Sequence, residues 1–197
     1  MSRATLIVMV KKPVAGRVKT RLGREIGMPE AAWWFRHQTA QILRRLRDPR
    51  WDMVLNVTPD RAMASSVWPG DLARMPQGRG DLGQRMVRAL RGVPGPAVLI
   101  GGDIPEVSPK HIAEAFRFLG RYESVIGPAH DGGFWLIGLR HPTRAGRGLF
   151  QGVRWSHPDT LREALPTLPA PVAMAATLQD VDTAADLHRA KGQRETA

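Results

Sequence analysis

The chain has 197 residues and contains no cysteine and no long apolar run. The absence of cysteine excludes disulfides and thiolate metal sites, and it fits a reducing compartment. No stretch approaches the roughly 18 consecutive apolar residues that a membrane-spanning helix needs. The apolar run near the N-terminus is also too short for the hydrophobic region of a signal peptide. We therefore expect a soluble, cytoplasmic protein without a membrane span.

Aromatic residues are scarce, since they make up 6% of the chain and include a single tyrosine. A surface that stacks nucleic-acid bases needs aromatic side chains, so such a platform is not expected. The formal net charge of +11 does suggest nucleic acid as a partner. The arginines, however, are spread over nearly every segment instead of forming one stripe. The composition therefore does not favour nucleic-acid binding.

Lysine is also scarce, and it is unevenly distributed. Three of the five lysines fall within nine residues, directly after an apolar run at residues 4–10 that predicts a buried strand. We call residues 11–21 the basic loop. Ligands of an open α/β sheet bind at the carboxyl ends of its strands, so we expect this loop to bind a phosphate-bearing ligand. The alternative is a solvated basic turn shaped by Pro13 and Gly16.

Strand-like and helix-like segments alternate along the rest of the chain. Further strands are predicted at residues 52–58, 97–100, 124–127, 134–139 and 172–176. Helices are predicted to begin near residues 28, 82, 109, 156 and 183, whereas residues 60–76 predict a loop with a short helix. This alternation predicts one α/β domain over residues 1–197, with a mostly parallel sheet between two layers of helices. The polar tail from about residue 191 is expected to fray.

Asp103 follows four apolar residues and two glycines. This pattern puts Asp103 where a strand leaves the core, and the glycines let a ligand approach the backbone. In a doubly wound sheet that strand neighbours the first one, so Asp103 and the basic loop would face one crevice. One carboxylate beside a phosphate site suits Mg²⁺, which shares its shell with phosphate oxygens. The alternative is that Asp103 only caps the turn before Pro105.

The segment Asp131-Gly132-Gly133 joins two predicted strands and is followed by Phe134 and Trp135. The aromatic pair and the acid form a corner where a second substrate can rest. Asp131 would accept a hydrogen bond from the hydroxyl group of that substrate or act as a base. The alternative is an ordinary hairpin turn, for which Asp-Gly is a common pair.

Two further motifs carry weaker signals. Asp182 precedes the last predicted helix and is a candidate second metal ligand. The alternative is that Asp182 and Asp180 only interact favourably with the positive end of the helix dipole. Residues 78–83 match the glycine fingerprint of dinucleotide-binding proteins. No buried strand is predicted before them, so the motif does not favour a nicotinamide enzyme.

Together these segments resemble a known bacterial family of the GT-A superfamily. Its members were long catalogued as a domain of unknown function, and some are described as glycosyltransferases of arsenosugar biosynthesis. The family is similar in fold to the guanylyltransferases of molybdenum cofactor and of 2-phospholactate. The segments that carry the resemblance are Lys12–Leu22, Gln77–Met86, Gly102–Pro105, Gly127–Gly133, Leu136–Leu139 and Asp180–Leu187.

The resemblance implies a nucleotide-diphospho-sugar transferase fold, in which the sheet is mixed and Rossmann-like. It also implies that the basic loop contacts the phosphates and that the segment around residue 80 contacts the base or ribose. Two acids would bind a metal, and the corner at 131–135 would contact the acceptor. The chain departs from the wider superfamily because Ile104 and Pro105 stand where many members have a second acid. The nucleotide-binding candidates are Lys12, Gly16, Arg17, Lys19, Arg21, Gln77 and Gly80; the metal candidates are Asp103 and Asp182; the acceptor candidates are Asp131, Gly132, Gly133 and Trp135.

The leading hypothesis is a transferase that uses Mg²⁺ (or Mn²⁺) and transfers a group from a nucleotide sugar to a small-molecule acceptor. Lys19 would stabilise the leaving group and Asp131 would activate the acceptor. The first alternative is a nucleotidyltransferase that joins a nucleoside triphosphate to a phosphorylated small molecule. The second is a nucleotide-binding or basic interaction protein without catalysis.

Overall fold

The structure is a computed structural model that describes residues 3–178, 181 and 183–187. Its described strands form one seven-stranded sheet. The strands are β1 (Ala4–Lys11), β2 (Trp51–Thr58), β3 (Ala73–Pro76), β4 (Ala97–Gly101), β5 (Ser124–Pro128), β6 (Phe134–Leu139) and β7 (Val172–Met174). The helices are α1 (Thr20–Ile26), α2 (Met28–Arg45), α3 (Leu82–Arg91), α4 (Pro109–Leu119) and α5 (Thr160–Ala164).

The sheet is mixed and mostly parallel, as predicted, with the strand order β3-β2-β1-β4-β6-β5-β7. β1 lies between β2 and β4 and is parallel to both. β6 runs antiparallel to its neighbours β4 and β5. The carboxyl ends of β1, β2, β4 and β5 therefore meet the start of β6 at one edge of the sheet.

Helices cover both faces of the sheet, which confirms the three-layer prediction. The side chains of β1 alternate between the two faces, and five of its eight residues are buried. On one face Leu6 and Val8 belong to a cluster with Ile42 of α2 and Ile112 of α4. On the other face Ile7 belongs to a cluster with α3 and with residues 145–168. Within the described residues, none of the helices combines the length and the apolar character needed to cross a bilayer.

Three elements differ from the sequence-based predictions. α1 was not predicted, because its N-cap residue Lys19 makes no capping hydrogen bond with its side chain and has a left-handed backbone, with φ of 43°. β3 was predicted to be loop, because this short edge strand is half-exposed and ends in proline. The helix predicted to begin near residue 156 begins later and is short, since α5 covers only Thr160–Ala164.

Candidate functional site

The basic loop, the end of β4 and the first turns of α1 and α3 surround a cavity of about 560 Å³. We call it the basic cavity. Five cationic side chains line it, together with one carboxylate in the described part of the chain. The excess of positive charge among these side chains favours an anionic ligand over a cationic one. The cations are Lys11, Arg17, Lys19, Arg21 and Arg85, and the carboxylate is that of Asp103.

Lys19 and Asp103 form an ion pair at the floor of this cavity, as expected for residues that share one crevice. The distance from Lys19 Nζ to Asp103 Oδ2 is 2.7 Å, and the two side chains are 7% and 27% exposed. Because β1 and β4 are neighbours in the sheet, the loops that follow them meet. The Asp103 carboxylate therefore keeps the ammonium group of Lys19 close to the other cationic side chains.

Backbone packing brings Asp103 to this position. The N–H of Gly102 donates to the carbonyl oxygen of Met9 at 3.0 Å, so the end of β4 stays joined to β1. A Cβ atom on Gly102 would lie 3.1 Å from that same oxygen and from Val10. A larger residue would push the two strand ends apart, and with them Lys19 and Asp103.

Gln77 lies at the cavity wall but uses much of its hydrogen-bonding capacity within the protein. Its side chain is buried, and its Nε2 donates to the backbone oxygens of Asn56 at 3.0 Å and Val10 at 3.4 Å. These bonds tie the end of β3 to β1 and β2. From α3, Arg88 donates to the backbone oxygens of Gln77 and Arg79, which fixes the turn that follows β3.

A second cavity of about 220 Å³ adjoins the first and shares six lining residues with it, among them Asp103, Phe134 and Trp135. We call it the aromatic cavity. Asp131 and Gly133 lie in its wall. Asp131 Oδ1 accepts a hydrogen bond from the N–H of Gly133 at 2.9 Å, so the carboxylate also shapes the turn.

The turn at residues 129–133 is held tightly against the segment at 154–161. Gly132 has a φ of 86°, and a Cβ atom there would overlap the carbonyl oxygen of Pro158. The N–H of Leu161 donates to the carbonyl oxygen of Gly132 at 2.9 Å. Trp135 is buried and donates from Nε1 to the carbonyl oxygen of Ala176 at 2.9 Å. The wall of the aromatic cavity is therefore fixed by backbone contacts.

Several lining residues were not found from the sequence. Arg85 of α3 faces the basic cavity, and its Nε donates to the carbonyl oxygen of Gly80 at 2.9 Å. The segment at 154–161 contributes four residues to the aromatic cavity, in a stretch with no regular apolar period to reveal it. The one feature of the sequence that could have indicated this segment is its cluster of polar and aromatic side chains. The four are Trp155, Ser156, His157 and Thr160.

Other predicted residues lie beside the cavities or outside the described part. Of the candidates, Lys12, Gly16, Gly80 and Gly132 line neither cavity. Asp182 and Asp180 lie outside the described residues. The flanking residues Val181, buried against Leu22, and Ala184, whose N–H donates to Glu25 Oε2 at 2.9 Å, lie against α1.

The donor set decides which metal sites this structure can form. Among the described residues, no three His, Asp or Glu side chains come together as metal ligands. A Mg²⁺ or Mn²⁺ ion that takes one carboxylate and completes its shell with phosphate oxygens and water fits Asp103, beside a cavity suited to phosphate.

Known proteins resemble this chain in sequence and in fold. The model of a family of uncharacterised proteins conserved in bacteria, DUF2064, matches residues 41–157. No curated protein matches the chain. A protein of Desulfovibrio desulfuricans G20, provisionally described as a nucleotide-diphospho-sugar transferase, is 30% identical, covering 95% of this chain and 85% of its own, with a TM-score of 0.84.

Two more distant structures share the fold alone. Molybdopterin-guanine dinucleotide biosynthesis protein A of Archaeoglobus fulgidus is 16% identical, covering 98% of this chain and all of its own, with a TM-score of 0.57. Rv0371c of Mycobacterium tuberculosis H37Rv, solved in complex with manganese, is 20% identical, covering 96% of this chain and 98% of its own, with a TM-score of 0.55. The fold expected from the sequence motifs is thereby confirmed.

Proposed function

The chain belongs to the DUF2064 family of uncharacterised bacterial proteins, as its motifs predicted, and on this premise we propose that it is a metal-dependent transferase acting on a nucleotide sugar. Its fold is that of the nucleotide-diphospho-sugar transferases and nucleotidyltransferases. One observation carries the proposal. A cavity with five cations and a second, aromatic cavity meet at Asp103. A donor and an acceptor bound there would face each other.

The donor's diphosphate would occupy the basic cavity. Lys19 and Arg21 would contact its oxygens, and Arg17, Lys11 and Arg85 would supply further positive charge. A Mg²⁺ or Mn²⁺ ion bound by Asp103 and phosphate would add positive charge where the leaving group develops its negative charge. Lys12, Gly16 and Gly80 would shape the surrounding loops, and Asp182 remains a candidate second ligand.

Transfer would proceed by displacement at the anomeric carbon. The acceptor oxygen forms a bond to that carbon, while the bond from the carbon to the diphosphate oxygen breaks and its electron pair leaves with the nucleoside diphosphate. The hydroxyl proton passes to the Asp131 carboxylate. Lys19 stabilises the charge on the departing diphosphate. Gly132, Gly133 and Trp135 hold the wall against which the acceptor rests.

A thermal-shift screen of nucleotides and nucleotide sugars, with and without Mg²⁺, tests the donor site. A ligand at a hundred times its dissociation constant stabilises a protein by about 2.7 kcal/mol, which raises the melting temperature of a domain of this size by several degrees, roughly 5–10 °C. Each hit is then incubated with candidate acceptors. Release of a nucleoside diphosphate supports glycosyl transfer, whereas release of pyrophosphate from a triphosphate identifies nucleotidyl transfer.

A matched pair of variants tests the role of Asp103. Asp103→Asn should lose the Mg²⁺-dependent part of the stabilisation and most of the turnover. Asp52→Asn, which removes an exposed carboxylate near the opposite edge of the sheet, should behave as the wild type. Normal turnover of Asp103→Asn would contradict the metal role. Nucleotide binding by the wild type without turnover of any acceptor would favour a nucleotide-binding protein without catalysis.

A further inference from the structure

The two adjoining cavities differ sharply in the charge of their walls. The basic cavity has five cationic side chains, whereas no lysine or arginine of the described residues lines the aromatic cavity. Among the described residues, the ionisable groups that line the aromatic cavity are the two carboxylates of Asp103 and Asp131 and the imidazole of His157. A ligand in the aromatic cavity therefore meets negative rather than positive charge.

Neighbouring ion pairs leave Asp131 as the uncompensated charge. Asp103 is paired with Lys19 at 2.7 Å. Arg154 approaches His157, but its guanidinium is bound to Glu163 and lies 2.9 Å from Asp159. Asp131 forms no ion pair with any described residue and is exposed to solvent. The nearby arginine is thus neutralised by other acids and does not attract an anion to this cavity.

The rest of the wall is apolar and aromatic. The rings of Phe134 and Trp155 are in an edge-to-face arrangement with centroids 6.2 Å apart, and the ring of Phe134 stacks on that of Phe150 at 5.8 Å. Leu82 lines both cavities and remains 44% exposed. Rings of this kind attract apolar faces, and they also attract cations through the negative face of the π system.

From this arrangement we infer the class of acceptor, on the basis of the transferase function proposed above. The acceptor is a small hydroxyl compound without a phosphate group, either uncharged or cationic, and it places an apolar or aromatic face against Phe134 and Trp155. A phosphate group would meet the Asp131 carboxylate with no described cation in the cavity wall to pair with, and the two like charges would repel each other. The volume of about 220 Å³ lies below that of sites for drug-sized ligands, so a small molecule or one end of a larger one enters.

The inference also separates the two transfer reactions. Nucleotidyl transfer to a phosphorylated small molecule needs cations on the acceptor side, and the described wall has none. Glycosyl transfer to a neutral or cationic hydroxyl compound needs none. The charge of the aromatic cavity therefore favours the glycosyl reaction.

The test uses three probes with the same ring and different charge: benzyl alcohol, benzylamine and benzyl phosphate. They are titrated into the full chain labelled with ¹⁵N-tryptophan, at pH 8, without a donor. The shift of the Trp155 indole resonance, assigned with Trp155→Phe, reports binding in the aromatic cavity and not in the basic one. Benzylamine and benzyl alcohol should shift this signal with dissociation constants at least about tenfold lower than that of benzyl phosphate, a factor that corresponds to about 1.4 kcal/mol.

A matched pair of variants assigns the selectivity to one carboxylate. Asp131→Asn retains the oxygen that accepts from Gly133, so the turn is kept while the charge is lost. It should weaken benzylamine binding by about threefold or more and leave benzyl alcohol within about twofold. Asp52→Asn should change neither. Preference for benzyl phosphate at Trp155, or no shift with any probe, overturns the inference. Because the titrations need neither a nucleotide nor turnover, they can fail while the donor screen succeeds, and the reverse.

Discussion

The two walls of the candidate site are built in different ways. The basic loop is exposed over most of its length, and Gly16, with φ of 72°, has no atom within 4 Å of where a Cβ would stand. The turn at residues 129–133 instead presses Gly132 against the backbone of Pro158. One wall consists of long cationic side chains on a loosely packed loop. The other consists of aromatic side chains and a carboxylate on a tightly packed turn.

This difference indicates how the two substrates would be recognised. Phosphate attracts any nearby cation over several ångströms, so long side chains on an exposed loop can adapt to it. A neutral acceptor has no comparable long-range attraction, and it must be selected by shape and by a few placed groups. We therefore expect the loop to tolerate substitution better than the turn.

The same substitution at the two glycines should give the largest contrast. Gly132→Ala places a methyl group against a backbone oxygen at positive φ, and strain plus overpacking should cost about 3 kcal/mol. Gly16→Ala meets only the left-handed penalty of about 1 kcal/mol. Melting curves of the two variants measure the difference. Equal losses would mean that the two walls are packed alike.

Removal of one cation should have the next largest effect, and it should appear in ligand binding. Lys19→Met should weaken binding of inorganic pyrophosphate about tenfold to a hundredfold, because charge-assisted hydrogen bonds contribute about 1.5–3 kcal/mol. Lys110→Met removes an exposed lysine that lines neither cavity and should bind as the wild type. Calorimetric titration compares them, and unchanged affinity of the Lys19 variant would remove this residue from the phosphate site.

Salt should separate the two walls by a smaller margin. Raising the NaCl concentration from 50 to 500 mM should weaken pyrophosphate binding about tenfold, because screening acts on exposed charges. Benzyl alcohol binding should stay within about twofold, since its contacts are apolar. Titrations at the two salt concentrations give both numbers, and a parallel loss for the two ligands would show that they share one site.

The smallest expected effect concerns pH. His111 lies beside Trp135, with ring centroids 6.1 Å apart, and burial lowers the pKa of its imidazole below the ordinary 6.5. Below pH 6.5 the unfolded chain therefore binds a proton that the folded one does not, so stability falls as the pH drops from 7 to 5. Protonation also removes the Nδ1 acceptor for the N–H of Ser108 at 3.3 Å.

His111→Gln keeps an acceptor at that position without a titratable ring. Its melting temperature should fall less than that of the wild type between pH 7 and pH 5. The basic loop contains no histidine, so its contacts should not change with histidine protonation between pH 7 and pH 5. Identical pH slopes for the two proteins would rule out His111 as a source of the decline.

Much of the fold followed from the sequence, because six of the seven described strands are apolar runs or lie in a regular alternation. β3 could not be predicted in this way. Its side chains are half-exposed and show no strand pattern, and Ala73–Pro76 is a strand because it pairs with β2. α1 was missed because Lys19 begins it in a conformation that no capping pattern reveals.

The candidate site was predictable where strand ends carry chemistry. Lys19 and Asp103 follow strands that the topology makes neighbours, so sequence reasoning could bring them together. Trp155 and His157 could not be found in this way. They reach the aromatic cavity on an irregular segment that is held by tertiary contacts, among them the contact between Pro158 and Gly132.

The reversed direction of β6 has a consequence for how relatives of this protein can diversify. Because the chain turns back after β5, a surface hairpin delivers Asp131 to the ligand edge. Asp131 is exposed at the tip of this hairpin, whereas Gly132 is packed against Pro158, so the side chain at position 131 can be exchanged while the backbone of the turn stays in place. If the proposed function holds, relatives could change their acceptor by substitution at position 131, without any change in the cationic residues on the other side of Asp103.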